Sequence, residues 1–335
     1  MKKTVQINDG IAKRFGIENE LTFSAQMNDA DSGVAFMISQ LAHLETKMFE
    51  TPYADIIFQK VVPVLTDAPE WATNVNYISY DSTARGKFIG ASARDLNTTA
   101  IERQIHSVNV AYGGLSLVYS LDDLRKAIAL GMNLDAEQAR IAFRGAQEHQ
   151  QDVVFFGDAQ RGMQGFLNHN QVAVGNSSKA LSTVSVSELV DEVNAYISEV
   201  WTNSNQRFLP NTLCMDSKTY ARLANARLND TAHVMTGLEF LKQYNLFKVQ
   251  TNQDLQIIPM PHLSAENLNK NGVGEKARMV IYDKNDSNVA SWMPIAPRFI
   301  APQAEGLEIV TPMEYKFSGT EFRYPHSAMY VEFEA

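Results

Sequence analysis

Three polar side chains with metal-binding or acid–base chemistry lie close together in one predicted helix. Asp152 follows Glu148 by four residues and His149 by three, so the three side chains share one helix face. Two carboxylates and an imidazole could bind a divalent metal and support metal-assisted hydrolysis. The sequence has no second cluster of histidines and carboxylates to complete a metal site. A polar helix face is therefore the favoured interpretation, and a metal-assisted hydrolase is the remote one.

Cys214 is the only cysteine and stands between Leu213 and Met215, in an apolar segment typical of a buried strand. A nucleophilic cysteine needs accessible, electropositive surroundings, so we predict that Cys214 is a core residue. One cysteine also excludes internal disulfides and cysteine-based metal sites, which favours a reducing, cytosolic setting. The sequence lacks a phosphate loop ending in Gly-Lys-Ser/Thr, a Gly-x-Ser-x-Gly turn and a His-Glu-x-x-His pair. We predict no catalytic residue, no metal and no cofactor.

Charged residues gather in a segment that is rich in glycine. Asp81, Arg85 and Lys87 fall within a predicted loop that also contains Gly86 and Gly90. Two cations on such a loop could bind an anionic ligand, although charges of this kind are usually solvated. These residues alone favour neither interpretation.

Composition restricts the class of protein. The chain has 335 residues, of which 45% are hydrophobic, so it can bury a sizeable core and is not disordered as a whole. It carries 38 acidic and 29 basic residues, a formal net charge of −9, which disfavours sequence-specific binding of nucleic acid. No run of 18 or more apolar residues occurs, so we expect neither a membrane span nor a signal peptide.

The first part of the chain is predicted to be an arm followed by short elements. Residues 1–30 are polar and interrupted by glycine, so they cannot bury a face of their own. A short amphipathic helix is predicted from Ser32 to about Thr51. Residues 56–64 are rich in β-branched residues and closed by proline, which predicts a strand.

Residues 70–112 predict a long two-stranded β excursion with a flexible, charged tip. In the returning strand the apolar residues change from even to odd positions around Gly113 and Gly114. One extra bulge residue would produce such a change of face, so a β-bulge is predicted at this glycine pair.

Two helices are predicted to follow. The first begins at Ser120 and ends at Gly131, and the second runs from Asp135 to a stop at Gly157. Gly145 lies in the middle of the second helix, where glycine costs about 1 kcal/mol relative to alanine. Close packing of another backbone is the slightly favoured explanation, and a bend used when a larger assembly changes shape is the alternative.

The rest of the chain contains two regions with different predicted secondary structure. Residues 182–285 alternate helices, capped at Ser185 and Thr236, with short buried strands, which predicts a compact α/β subdomain. Apolar residues then alternate along 307–317, and Gly319 is predicted to be the turn of a terminal β-hairpin. A last alternating strand follows Pro325.

This order of elements resembles the major capsid proteins of tailed bacteriophages, whose Hong Kong ninety-seven-like fold also builds encapsulin shells. The turn after the long helix carries the strongest likeness, since members of this group have a similar Gly-Asp, Gly, Gly-Leu-Asn pattern. Its residues here are Gly157, Asp158, Gly162, Gly165, Leu167 and Asn168. The other similar segments are Tyr80-Asp81 to Gly90, Tyr119 to Leu124 and Ala139 to Ala146.

The resemblance implies an α+β capsid fold with defined parts. These are an N-terminal arm with a short helix (1–50), a peripheral-domain strand (51–69), an extended loop (70–112), a peripheral domain with a spine helix (113–181), an axial α/β domain (182–285) and terminal peripheral strands (286–335). Asp81, Arg85 and Lys87 would then contact a neighbouring subunit. Gly145 would lie in the spine helix, and Gly157, Asp158, Gly162 and Gly165 in the turn that follows it.

The functional expectation is a structural protein of the virion. The resemblance implies self-assembly into hexamers and pentamers of an icosahedral shell around double-stranded DNA, with portal, scaffolding and cement proteins as partners. Packaged DNA would be enclosed without sequence-specific binding, and the acidic composition suits such a container because a strongly attractive inner wall would hinder movement of the genome. An encapsulin-type nanocompartment enclosing a cargo enzyme is the alternative within the same fold.

Overall fold

The structure confirms the helices predicted from Asp135, Ser185 and Thr236, and it departs from the sequence pattern in several strands. A computed structural model of the chain describes residues 55–83, 100–120, 122, 134–181, 184–228 and 235–334. Within it, residues from Asp55 onward form one compact unit. The predicted arm, the predicted helix from Ser120 to Gly131, Arg85 and Lys87 lie outside the described residues, apart from Ser120 and Asp122 at the start of that helix.

Helices and strands alternate through most of the described residues. The helices are α1 (Phe58–Val61), α2 (Leu134–Phe156), α3 (Val186–Asn203), α4 (Ser217–Asn225), α5 (Gly237–Gln243), α6 (Leu246–Thr251) and α7 (Ala265–Lys270). The strands are β1 (Val64–Leu65), β2 (Asn74–Thr83), β3 (Ala100–Ser120), β4 (Ala173–Ala180), β5 (Thr212–Met215), β6 (Arg227–Leu228), β7 (Met235–Thr236), β8 (Gln256–Pro259), β9 (Ala277–Tyr282), β10 (Val289–Trp292), β11 (Ile295–Phe299), β12 (Gln303–Glu305), β13 (Glu308–Ser318), β14 (Thr320–Phe322) and β15 (Ala328–Glu334).

A mixed five-stranded sheet forms the centre of the described unit, in the order β4-β15-β9-β5-β8. Because side chains alternate along each strand, the sheet separates two hydrophobic clusters. One cluster contains Cys214 and Tyr330 and includes the end of α2. The other contains Leu213 and Val331 and is covered by helices from the 186–251 region. Two of the five strands, β4 and β15, lie outside the predicted α/β subdomain of residues 182–285, so the sheet joins that segment to the rest of the chain.

A second five-stranded sheet carries the long hairpin, in the order β11-β13-β3-β2 with β12 paired to β13. Strand β3 has 21 residues. Residues 100–109 of β3 pair with β2, and residues 110–120 pair with β13. The predicted two-stranded excursion is therefore confirmed, and its returning strand continues without interruption into the body of the subunit.

The β-bulge predicted at Gly113 and Gly114 is wrong. The antiparallel register between β13 and β3 runs unbroken from Glu308 opposite Ser120 to Ser318 opposite Val110. The apolar residues do change face there, because Val110 is buried beside residue 73 and Ala111 packs against the cluster under α2. Strand β3 is therefore regular throughout, but the rest of the subunit covers one face of it near Val110 and the opposite face from Ala111 onward.

Two further strand predictions are wrong. Residues 56–64 form the short helix α1 and only the start of β1, because Phe58 and Val61, three residues apart, are both buried in the same cluster. Residues 318–322 do not form a hairpin, since β13 pairs with β3 whereas β14 pairs with β10. The chain passes from one sheet to another at Gly319.

Three of the predicted helices are confirmed. The helix predicted from Asp135 to Phe156 is α2, and capping boxes are present at Ser185 and Thr236. Gly145 leaves α2 continuous, and among the described residues a Cβ atom there would meet only Leu115 Cδ1, at 3.7 Å. Close packing of another backbone therefore does not explain Gly145 in the described part of the chain. No helix in that part is long and apolar enough to cross a bilayer.

Candidate functional site

The side chains of the remote metal-site alternative, Glu148, His149 and Asp152, lie in different surroundings. Arg144 Nε donates a hydrogen bond to Glu148 Oε1 at 2.9 Å, one helical turn away. His149 Nδ1 lies 2.9 Å from the hydroxyl of Tyr315 in β13. Desolvation raises the pKa of the Asp152 carboxyl, and His262 partly opposes that rise. Across the described ranges no group of three or more His, Cys, Asp or Glu side chains is placed to bind a metal ion.

Cys214 is a core residue, as predicted from its neighbours. Its side chain is fully buried in the central sheet. Burial raises the pKa of the Cys214 thiol to about 12, so the thiol is protonated at neutral pH. Cys214 cannot act as a nucleophile in this environment.

The turn after α2 satisfies the carbonyl groups that the end of a helix leaves without partners. The last four carbonyls of a helix have no intrahelical donor. Here Gly157 N, at the helix end, donates to Val153 O at 2.8 Å, and the returning chain supplies three more donors: Phe166 N to Val154 O at 2.8 Å, Leu167 N to Phe155 O at 2.9 Å, and Asn168 Nδ2 to Phe156 O at 2.8 Å. Residues 157–168, here called the spine turn, thus fold back onto the helix and fix its end.

Two glycines allow this close return. Gly157 has φ +76°, and a Cβ atom there would stand 2.8 Å from Gly165 N. A Cβ atom on Gly165 would overlap the Phe155 and Phe156 backbone and stand 2.6 Å from Asn168 Oδ1. Because the obstructing atoms are mostly backbone atoms, neither position accommodates a side chain without moving the chain.

Asp158 closes the first half of the spine turn. Its Oδ1 accepts hydrogen bonds from Gln160 N at 2.9 Å and Arg161 N at 3.3 Å, while its backbone pairs with Met163. Arg161 Nη1 lies 2.5 Å from Asp158 Oδ2. The hydrogen bond from the Arg161 side chain holds the pKa of Asp158 below its usual value. Gly162 follows with φ +66°, the left-handed conformation that favours glycine.

The spine turn also contacts the long hairpin. Asn109 Nδ2, in β3, donates to Arg161 O at 2.8 Å. On the other side, Thr320 N donates to Gln164 O at 2.8 Å, directly after Gly319. The turn therefore links the end of α2 to the base of the hairpin and to the crossing between the two sheets.

The hairpin carries an apolar pair that the described part of the subunit leaves uncovered. Ile78 and Ile105 lie directly opposite each other on β2 and β3. Their exposed fractions are 49% and 72%. Tyr77, one residue before Ile78, points to the opposite face, where it stacks on His106 at 4.8 Å. One hairpin face therefore packs toward the body and the other presents isoleucine to the surroundings.

A network of charges fixes the base of the hairpin. Arg298 forms a two-point contact with Glu70, with Nη1–Oε1 at 2.9 Å and Nη2–Oε2 at 2.8 Å. Arg298 Nε also donates to Glu314 Oε1 at 2.8 Å, and the Tyr112 hydroxyl donates to Glu314 Oε2 at 2.6 Å. Hydrogen bonds from Tyr112 and Arg298 lower the pKa of Glu314, and Arg298 lowers the pKa of Glu70. These contacts connect β11, β13 and β3 to the residues just before β2.

Sequence reasoning found the spine turn but missed this network. Glu70 and Arg298 are 228 positions apart, and no local spacing joins them. The alternation along 307–317 was the one available signal, since it places Glu314 and Lys316 together on the face away from the core. Of the three predicted contact residues, Asp81 lies in β2 opposite Glu102, and Arg85 and Lys87 fall outside the described residues.

Comparison with known families decides the class of protein. The family model described as Major capsid protein matches residues 84–333, which is most of the chain. The chain belongs to the major capsid protein family. It is a structural component of the virion, and the family match supports the phage-capsid interpretation; no observation favours the nanocompartment or the hydrolase.

Solved capsid structures share the fold of this capsid protein. The capsid of Myoviridae phage XM1 matches with a TM-score of 0.72 and 13% identity, covering 88% of this chain and 97% of the other. Mycobacterium phage Ogopogo matches with a TM-score of 0.57 and 12% identity, covering 87% and 96%. The capsid of a native GTA particle matches with a TM-score of 0.56 and 11% identity, covering 93% and 100%. The predicted α+β, Hong Kong ninety-seven-like capsid fold is confirmed, and a comparison with curated protein sequences finds no match.

Proposed function

We propose that this capsid protein assembles into hexamers and pentamers of an icosahedral head that encloses the double-stranded DNA of a tailed phage. The observation that carries the proposal is the Ile78–Ile105 pair, which projects from the body on a long hairpin and is exposed on one face. A two-stranded hairpin is marginally stable alone, and apolar pairs of this kind gain stability when a partner covers them. In this proposal the partner is a neighbouring copy of the chain.

The parts of the subunit take the roles that the resemblance implies. Residues 1–50 are the arm, 70–112 the extended loop and 182–285 the axial domain. Residues 51–69, 113–181 and 286–335 form the peripheral domain, with α2 as its spine. Asp81, Arg85 and Lys87 contact the neighbouring subunit near the loop tip. The spine turn supports these roles, because it joins α2 to the base of the loop.

The remaining partners follow from the same role. A closed head needs a portal for DNA entry and, during assembly, scaffolding proteins; cement proteins are further partners on its surface. The net charge of −9 suits a wall that holds packed DNA without strong attraction. The chain performs no catalysis in this role, assembly takes place in the host cytoplasm, and we expect shells without covalent cross-links.

Electron microscopy of the expressed full chain tests the proposal. Closed shells are expected, and light scattering after size exclusion should give a mass far above 37.4 kDa. A monomer that persists at high protein concentration would contradict it. Deletion of residues 80–92 should leave a folded subunit that does not assemble, and normal shells from that deletion would contradict the role of the loop.

The apolar pair has a more specific test. Replacing both residues, Ile78→Thr with Ile105→Thr, keeps β-branched side chains in the strands and removes most of the apolar surface. We expect shell yield to fall while the subunit remains folded. The matched control, Ile78→Val with Ile105→Val, keeps the apolar character and should assemble normally. Equal yields from the two double variants would show that this pair is not buried in the shell.

A further inference from the structure

The inner face of the hairpin meets the body at Arg323, beside the Glu321 carboxylate. The guanidinium carbon of Arg323 lies 5.8 Å from the ring centroid of Tyr77 in β2 and 5.6 Å from that of Trp292 in β10. A cation held between two aromatic faces is attracted to both. Arg323 therefore joins the hairpin to the strand pair β10–β14.

Glu321 contacts both Arg323 and Trp292. Its carboxylate is 4% exposed, accepts from Trp292 Nε1 at 3.1 Å and lies 3.4 Å from Arg323 Nε. Burial, with Glu321 as a secondary cause, raises the pKa of Tyr77 to about 12, consistent with a ring enclosed next to a carboxylate. Arg323 Nη1 also donates to Asp286 O at 3.2 Å, and its backbone N donates to Asn288 O at 2.9 Å. These contacts with the body fix the position of Arg323 independently of its contact with the hairpin.

The contact lies where the described hairpin leaves the body. On the hairpin, Tyr77 stacks on its cross-strand partner His106, and His106 Nε2 lies 2.9 Å from Ser79 Oγ. Beyond this point Gln104 and Ile105 are exposed. The Arg323 contact therefore lies at the base of the described hairpin, next to exposed side chains.

We propose that Arg323 is a positioning residue that fixes the angle at which the β2–β3 hairpin leaves the subunit, and thereby limits the range of shell sizes. This inference rests on the proposed function, because the hairpin angle matters to the shell only if the hairpin contacts a neighbour. Each subunit must place the hairpin on its neighbour at a defined angle for the shell to close at one diameter. A hairpin released from Arg323 would reach neighbours over a wider range of angles.

The test uses the full chain and four variants. Arg323→Leu removes the cation, Arg323→Lys keeps a cation but loses the planar group, and Tyr77→Leu removes the ring from the hairpin while leaving Glu321, Trp292 and Arg323 in place. Arg207→Leu is the matched control. Its guanidinium carbon lies 5.3 and 5.2 Å from the Phe208 and Tyr324 rings, a similar double contact that does not involve the hairpin.

Two measurements are made on every variant. Hydrogen exchange of the amides in residues 103–109 of the unassembled protein reports opening of the hairpin base. We expect exchange in Arg323→Leu and Tyr77→Leu to be about 5- to 30-fold faster, the factor that corresponds to losing a cation–π contact. Electron microscopy should show shells of several diameters for these two variants. Arg323→Lys should be intermediate, and Arg207→Leu should match the wild type in both measurements.

The possible outcomes distinguish a failure of the inference about Arg323 from a failure of the proposed function on which it rests. If the wild type forms no shells, the proposed function fails, and exchange still decides whether Arg323 holds the hairpin. If the wild type forms shells, unchanged exchange in Tyr77→Leu would overturn the inference. Faster exchange with one unchanged shell diameter would overturn it too. Should Arg323→Leu fail to fold, Tyr77→Leu decides, because it leaves the buried Glu321 paired.

Discussion

The ring of Tyr315 lies over the backbone of Gly113, its directly paired neighbour, and a Cβ atom at residue 113 would stand 2.9 Å from Tyr315 Cζ. The ring cannot easily move away. It is 3% exposed, its hydroxyl meets His149, and it stacks on Phe317 with centroids 5.5 Å apart. Gly113 is therefore required by the neighbouring strand, which explains a glycine in the middle of a regular strand.

The different surroundings of Gly113 and Gly145 predict opposite effects on stability when each glycine is replaced by alanine. Gly113→Ala should lower the free energy of unfolding by about 1–3 kcal/mol, because the added methyl group overpacks the site. Gly145→Ala should raise it by up to about 1 kcal/mol, since the helix has room for the methyl group. Urea unfolding of the unassembled protein measures both. A stabilised Gly113→Ala variant would contradict the contact described here.

The Gly145→Ala variant also separates the roles considered for Gly145. If the subunit is more stable but shell maturation slows, a bend at Gly145 is used during maturation. If stability rises and maturation is unchanged, Gly145 is a tolerated residue in the helix. Maturation is followed by electron microscopy of shells over time.

Asn168 should be important for the end of α2. Its side chain donates to Phe156 O at 2.8 Å and accepts from Gly165 N at 3.1 Å. Asn168→Ala leaves both backbone groups without these partners and should destabilise the protein by about 1–3 kcal/mol. Asn170→Ala, at an exposed position two residues later, is the control and should have little effect. Equal unfolding midpoints for the two variants would contradict this role.

Because His169 is buried, the stability of the folded protein is expected to depend on pH. Desolvation lowers the pKa of His169 from its usual value of 6.5 to about 4. The unfolded chain therefore binds a proton between these two pH values that the folded chain does not, and stability falls as the pH drops through this window. Between pH 7 and pH 5 the loss due to this residue should be roughly 2 kcal/mol.

The difference between wild type and His169→Gln isolates this contribution from other titrating groups. Glu321 acts in the opposite direction, because burial raises its pKa and the folded state then binds the extra proton. The wild type should lose more stability than the variant on going from pH 7 to pH 5. Parallel stability curves would show that His169 is not buried in the neutral form.

Breaking the partly buried ion pair of the central sheet should be costly. Arg278 is 7% exposed, its Nη2 lies 2.5 Å from Glu332 Oε1, and its guanidinium carbon lies 4.8 Å from the Tyr330 ring centroid. Arg278→Met should lower the free energy of unfolding by roughly 3 kcal/mol, since Glu332 and the Leu167 carbonyl lose their donor. Arg144→Met, which breaks a more exposed pair on α2, should cost less, at about 1 kcal/mol. Thermal unfolding distinguishes the two.

Local signals in the sequence predicted the helices that begin near Asp135, Ser185 and Thr236, did not locate α4, α6 and α7, and predicted the strand pairings poorly. Caps at Ser185 and Thr236 depend on residues three positions apart, so they are readable from sequence. The pairing of β14 with β10 rather than β13 depends on which strand lies nearby in space, and alternation carries no such information. The spine turn was recognisable by its glycines, whereas the Arg323 contact joins residues far apart along the chain.

Strand β3 has a mechanical consequence. Its first half belongs to the hairpin and its second half to the body, and the backbone register is continuous on both sides. At about 3.3 Å per residue, roughly 30 Å of hairpin is joined to the sheet under α2 without a hinge. A pull along β3 therefore loads the hydrogen bonds with β13 in shear, all at the same time, instead of opening them one after another. A shell under internal pressure would transmit tension through the strongest arrangement that this sheet offers.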